Sequence, residues 1–138
     1  MSDDVAYAPA FHDVVTALPA TPQAVGAARR MLVAEGLDPD IDHTVCLLVS
    51  ELVTNAIRHA GMGPDDRIII AARMNPEFAR VEVRDPGAGF DADVRHSTSG
   101  FGLRMLDTLA SRWGVDHDDA GTRVWFEVDR RRRRFQRD

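Results

Sequence analysis

The 138-residue chain contains no lysine; all 17 of its basic residues are arginine. That absence excludes two of the commonest nucleotide sites. A Walker A loop ends in Gly-Lys-Ser/Thr, and a eukaryotic-type protein kinase relies on a strand lysine. A single cysteine excludes an internal disulfide framework and any multi-cysteine zinc site. Cys46 lies in the apolar run Val45 to Val49, which predicts a buried, inert thiol. No stretch approaches the ~18 apolar residues that a membrane span needs. The opening residues Met1 to Asp4 carry acids and no basic stretch, so no signal peptide is indicated and a cytoplasmic location is expected.

What is present points to one folded domain: 44% of residues are apolar and 28% charged. The net charge of −5 hides an asymmetry. Six arginines fall in the last nine positions, Arg130 to Arg134 and Arg137, whereas residues 1–129 carry 11 arginines against 21 acids. An acidic body argues against nucleic-acid binding, which needs clustered cations to neutralise phosphates. The arginine run reads as a solvated terminus or as a docking tail for an acidic partner. The expected organisation is a loose segment 1–10, one domain over 11–129 and a tail over 130–138.

Periodicity predicts a strand over Phe11–Leu18, then a helix capped by Thr21 with Pro22 in its first turn and ended by Gly36. A second helix runs from near Asp38 and Pro39 through Ile41, Val45, Leu48, Leu52 and Ala56 to Gly61. Residues 67–74 and 79–85 read as a hairpin. A glycine-rich stretch, Pro86 to Gly102, precedes a third helix, and a last hairpin turns about Asp118 to Gly121. Trp113 and Trp125 are expected to be core aromatics. Strands paired in hairpins predict an α+β two-layer sandwich, a mixed and mostly antiparallel sheet with helices on one face.

Four features could carry chemistry. Glu51 and Asn55 stand one turn apart on one face of the second helix, where a carboxylate and an amide must be paired, wet or functional. Asp85-Pro86-Gly87-Ala88-Gly89 follows an alternating strand. It suits a type II turn, or an aspartate that accepts from a ligand amino group with glycines allowing close approach. Gly100 and Gly102 precede the third helix, where free N–H groups at a positive dipole end make a phosphate cradle. Thr122 opens the last strand and offers either a turn residue or a hydroxyl for a ligand. Each feature alone has a purely structural reading.

The ordered set closely resembles the GHKL (Bergerat-fold) ATP-binding superfamily, from about Phe11 to Val128. Glu51 to Ala60, Val81 to Phe90 and Gly100 to Leu106 are similar to its small single-domain anti-sigma-factor serine/threonine kinases of bacteria. The resemblance implies ATP and Mg²⁺ as cofactors. It implies Asn55 as the metal-holding N-box asparagine and Glu51 as the general base. It implies Asp85 as the adenine reader, Gly87 and Gly89 as shapers of the base pocket, and Thr122 as a hydroxyl at the adenine side. Gly100, Phe101, Gly102 and Leu103 would form the phosphate cap, and the stretch from Pro86 to Ser99 the lid. Arg104 would reach phosphate oxygens or favour solvent. His59, one turn after Asn55, reads as a packing residue rather than a phosphoacceptor.

The implied function is phosphorylation of a STAS-type anti-sigma antagonist within a partner switch that also involves a sigma factor. The implied assembly is a homodimer, without direct nucleic-acid or membrane contact. The alternative is an ATP-gated protein-binding module without phosphotransfer.

Overall fold

A computed structural model of the chain describes residues 10–59, 63, 65–86 and 100–132. Strand β1 spans His12–Pro19, helix α1 Gln23–Val33, helix α2 Pro39–His59, β2 Arg67–Asn75 and β3 Phe78–Asp85. Helix α3 spans Gly100–Leu109, β4 Arg112–Asp118 and β5 Gly121–Asp129, followed by one 3-10 turn over Arg130–Arg132. This is the β-α-α-β-β-α-β-β order expected from periodicity. The five strands form one sheet in the order β1-β2-β3-β5-β4. All four pairings are antiparallel, so the described sheet has none of the parallel pairing that a mixed sheet would contain.

Alternation along the strands sorts the side chains. Ile68, Ile70, Ala72 and Met74 of β2 lie on one face, with Ala79, Val81 and Val83 of β3 and Phe126 and Val128 of β5, all buried. The three helices cover this face: α2 packs on β3 and β5 and against both α1 and α3. Helix α2 is apolar around most of its girth and buries Ile41, Val45, Cys46, Leu48, Val49, Leu52, Val53 and Ala56. The opposite face carries charge. Arg80 bonds Glu127 at 2.9 Å and lies over the Trp125 ring at 4.1 Å. Arg123 pairs with Asp116 and with Glu82.

Trp125 therefore departs from expectation. It sits opposite Glu82 and Gly114 on the helix-free face, because its register is one residue out of phase with Phe126. There it covers Gly114, where an added Cβ would meet the indole at 2.6 Å. Trp113, on the other face, packs against the core as expected. The Thr21 side chain forms no cap on α1; its carbonyl accepts from Ala24 N–H at 2.9 Å instead. Gly36, at φ 79°, closes that helix as its residue type suggested.

The arginine run is not wholly solvated. Arg130 N–H donates to the Glu77 carbonyl at 2.9 Å. The Arg130 guanidinium meets Asp38 and Asp40 at 3.2 Å each and Glu77 at 3.5 Å, and Arg131 meets Glu77 at 3.2 Å. Asp38 N–H donates to the Pro76 carbonyl at 2.8 Å. The start of α2, the β2–β3 turn and the end of β5 are thus tied at one end of the sheet. The remaining tail, residues 133–138, lies outside the described residues.

Two outcomes follow. Arg130→Ala should cost about 1 kcal/mol, because exposed pairs contribute a few tenths each and three are lost. Urea unfolding at low and high salt checks it, and the deficit should shrink at high salt. Burial pushes the Cys46 thiol up, and the Asp42 carboxylate adds to that. The folded protein should react with a thiol reagent at pH 8 at least about tenfold more slowly than the urea-unfolded chain.

Candidate functional site

The apolar face ends in a polar rung. Asp85, the last residue of β3, lies directly opposite Thr122 on β5, and Thr122 lies opposite His117 on β4. Alternation keeps all three on the helix-covered face, one rung beyond Val83, Val124 and Val115. Asp85 and Thr122 are 7% and 3% exposed, and they are two of the three buried polar residues among the described ones. His117 is exposed at the sheet edge, and its Nδ1 lies 2.9 Å from the Thr122 hydroxyl.

Gly121 lets this rung form. Its φ is 134°, and a Cβ there would come within 1.9 Å of the Asp85 carbonyl oxygen. The two backbones meet at a distance that admits no side chain, and a substitution would push β5 off Asp85.

Helix α2 reaches the same end by arithmetic. It starts beside the β2–β3 turn, near Phe78, and runs over β3. Asn55 comes sixteen residues after Pro39, about 24 Å along the axis, and Glu51 about 18 Å. Asp85 comes seven residues after Phe78, about 23 Å along its strand. Asn55 and Asp85 thus stand at similar distances from that turn along their own elements, with Glu51 one turn nearer to it. Both are half-buried, and no hydrogen bond or ion pair joins either one to another described residue. Two polar side chains at the edge of a buried helix, with no partner among the described residues, are candidates to meet a ligand.

Helix α3 packs against α2 and β4. It begins at Gly100, so Gly100 and Gly102 form its first turn rather than a loop before it. The first N–H groups of a helix have no partner within it, and residues 100–102 supply them here. The side chains of Phe101 and Leu103 lie outside the described residues, as does that of His59. Arg104 is exposed and has no partner among the described residues. Gly87, Gly89 and the rest of the expected lid to Ser99 fall outside the described residues.

The structure thus brings Asp85 and Thr122 together directly, while Glu51 and Asn55 stand in the second half of α2, the helix that packs on β3 and β5. His117 was not anticipated. Its signal was its position five residues before Thr122 across a tight turn, which puts the two opposite in the hairpin. Among the described residues no cluster of three or more His, Cys, Asp or Glu side chains could hold a metal. A single amide ligand suits an ion that keeps most of its shell from phosphate and water, as Mg²⁺ does. No described helix is long and apolar enough to cross a membrane.

Comparison with known proteins agrees with this arrangement. Residues 18–128 match the family model for the histidine kinase-like ATPase domain. A protein of Listeria monocytogenes named serine-protein kinase RsbW is 32% identical over 130 residues, covering 79% of this chain and 83% of that protein. A protein of the same name from Listeria innocua is 30% identical over the same coverage. A crystal structure of the RsbU and RsbW domains of a Mycobacterium tuberculosis protein superposes with a TM-score of 0.67 at 25% identity. It covers 86% of this chain, which spans only 32% of that longer one. The sheet order, the helices on one face and these matches agree: the chain belongs to the histidine kinase-like ATPase family, in its serine-protein kinase branch.

Proposed function

We propose that the chain moves the γ-phosphoryl group of ATP to a serine or threonine of a small STAS-type anti-sigma antagonist, within a switch that also engages a sigma factor. The observation that carries this reading is the buried Asp85–Thr122 rung, together with Glu51 and Asn55, which have no partner among the described residues, on a helix that packs on β3. The names of the Listeria relatives support the class of reaction.

In this reading Asp85 accepts from the amino group of the base, and Thr122 contacts the same edge. Gly87 and Gly89 shape the base pocket. The first turn of α3, at Gly100, Phe101, Gly102 and Leu103, offers backbone N–H groups to the phosphates, and exposed Arg104 adds a cation. Asn55 supplies a neutral oxygen to Mg²⁺, which, when bound, neutralises the phosphate oxygens. Glu51 accepts the proton of the attacking hydroxyl as the phosphoryl group departs. Its carboxylate is half-buried and without a cationic partner among the described residues.

Two outcomes test the reading. Saturating ATP with Mg²⁺ should raise the melting temperature by several degrees, since ligand at a hundred times its Kd adds about 2.7 kcal/mol. Asp85→Asn should remove most of that gain; a wild-type protein whose melting is unmoved by ATP would discredit the site. Glu51→Gln should cut transfer of labelled phosphate to the antagonist by roughly 10²- to 10⁴-fold, with ATP affinity changed by no more than about threefold. Equal transfer from the variant would sink the role of base. ATP binding with no transfer from the wild-type protein would favour an ATP-gated binding module.

A further inference from the structure

The hydrogen bond between His117 and Thr122 has a consequence for what the site can read. A threonine hydroxyl has one proton to give and two lone pairs. At 2.9 Å, a single hydrogen lies between Nδ1 of His117 and Oγ1 of Thr122. If Nδ1 is bare, Thr122 spends its proton on His117 and turns only lone pairs toward Asp85. If Nδ1 carries the hydrogen, it donates to Thr122, and the hydroxyl proton is left for the space beside Asp85.

The neighbouring carboxylate decides between the two. Asp85 stands directly opposite Thr122 on the same face, one strand spacing away, and both are nearly inaccessible to water. Lone pairs of Thr122 turned toward an acceptor-only carboxylate would leave two acceptors facing each other. With His117 donating, the hydroxyl proton faces the carboxylate side instead, and the electrostatics are favourable. His117 is exposed, so its other nitrogen has water for a partner.

We infer that His117 is a positioning residue for base recognition: by donating from Nδ1 it aims the Thr122 proton into the base pocket. This inference rests on the nucleotide-site reading above. The edge of adenine presents an amino N–H flanked by bare ring nitrogens. A carboxylate can satisfy the amino group but has nothing to offer a ring nitrogen. The rung Asp85–Thr122 matches that edge as an acceptor beside a donor only while Thr122 is free to donate, and His117 keeps it so. The orientation of the hydroxyl, rather than the mere presence of Thr122, then sets the preference of the pocket.

Substitutions at an exposed edge position can fix the polarity. His117→Asp introduces an obligate acceptor that takes the Thr122 proton. His117→Asn retains an N–H donor near the position of Nδ1. The probes are ATP, 1-deaza-ATP and 7-deaza-ATP, the last two each lacking one ring nitrogen that flanks the amino group. All three carry the same charge, so the ratio of their Kd values is insensitive to the charge added by His117→Asp.

Wild-type protein should bind one of the two analogues about tenfold more weakly than ATP, the size expected for one lost hydrogen bond to a buried donor. His117→Asn should keep that ratio. His117→Asp should bring it close to one by weakening ATP toward the analogue. Thr122→Val should also abolish the ratio, and adding His117→Asp to it should change the ratio no further. The inference is overturned if His117→Asp keeps the wild-type ratio, or if wild-type protein binds ATP and both analogues equally. Failure of wild-type protein to bind ATP at all would instead overturn the nucleotide site itself.

Discussion

The period of two along β3 and β5 is the constraint on which the rest of the molecule depends. It places Ala79, Val81 and Val83 beneath the helices with Phe126 and Val128, and it carries the same face on to Asp85 and Thr122. A slip of one residue would bury Glu82, Arg84 and Arg123 and expose the apolar set. The register that makes the core therefore also makes the Asp85–Thr122 rung. The polar rung is the last step of an apolar ladder, where burial is still high. A carboxylate placed there keeps the strength of its interactions, because little water competes for it.

Much of this was legible in the sequence. The heptad-like spacing of Ile41, Val45, Leu48 and Leu52 marked α2, and the alternation from Val81 to Asp85 marked β3 with its terminal carboxylate. Glu51 and Asn55 stood out because polar residues on a largely apolar helix need a reason. Features that depend on pairing between distant segments were not legible. Trp125 looks like a core residue until its register with Glu82 and Gly114 turns it to the other face. The pairing of Arg130 with Asp38, Asp40 and Glu77 joins segments up to 92 positions apart, and an arginine run carries no mark of which member will find acids. His117 acquired meaning only when the last hairpin brought it opposite Thr122.

The missing lysine also takes on a structural sense. On the helix-free face each cation does two things at once. Arg80 lies flat on Trp125 while bonding Glu127, and Arg123 reaches both Asp116 and Glu82. A planar guanidinium can stack and fork in this way, whereas an ammonium is a compact point charge. In the proposed nucleotide site the demand for positive charge would fall on the backbone N–H groups of α3 and on Arg104, which is exposed.

The ring of Phe11 meets that of Phe78 at 5.5 Å, and Phe78 is also the partner of Asp129 at the far end of β5. The incoming and outgoing ends of the described domain therefore flank a single residue, at the end of the sheet remote from Asp85 and Thr122. A module with adjoining entry and exit behaves like a plug-in cartridge. It can be spliced between other domains, or carry a fluorescent or affinity tag at either end, with little disturbance to its pocket.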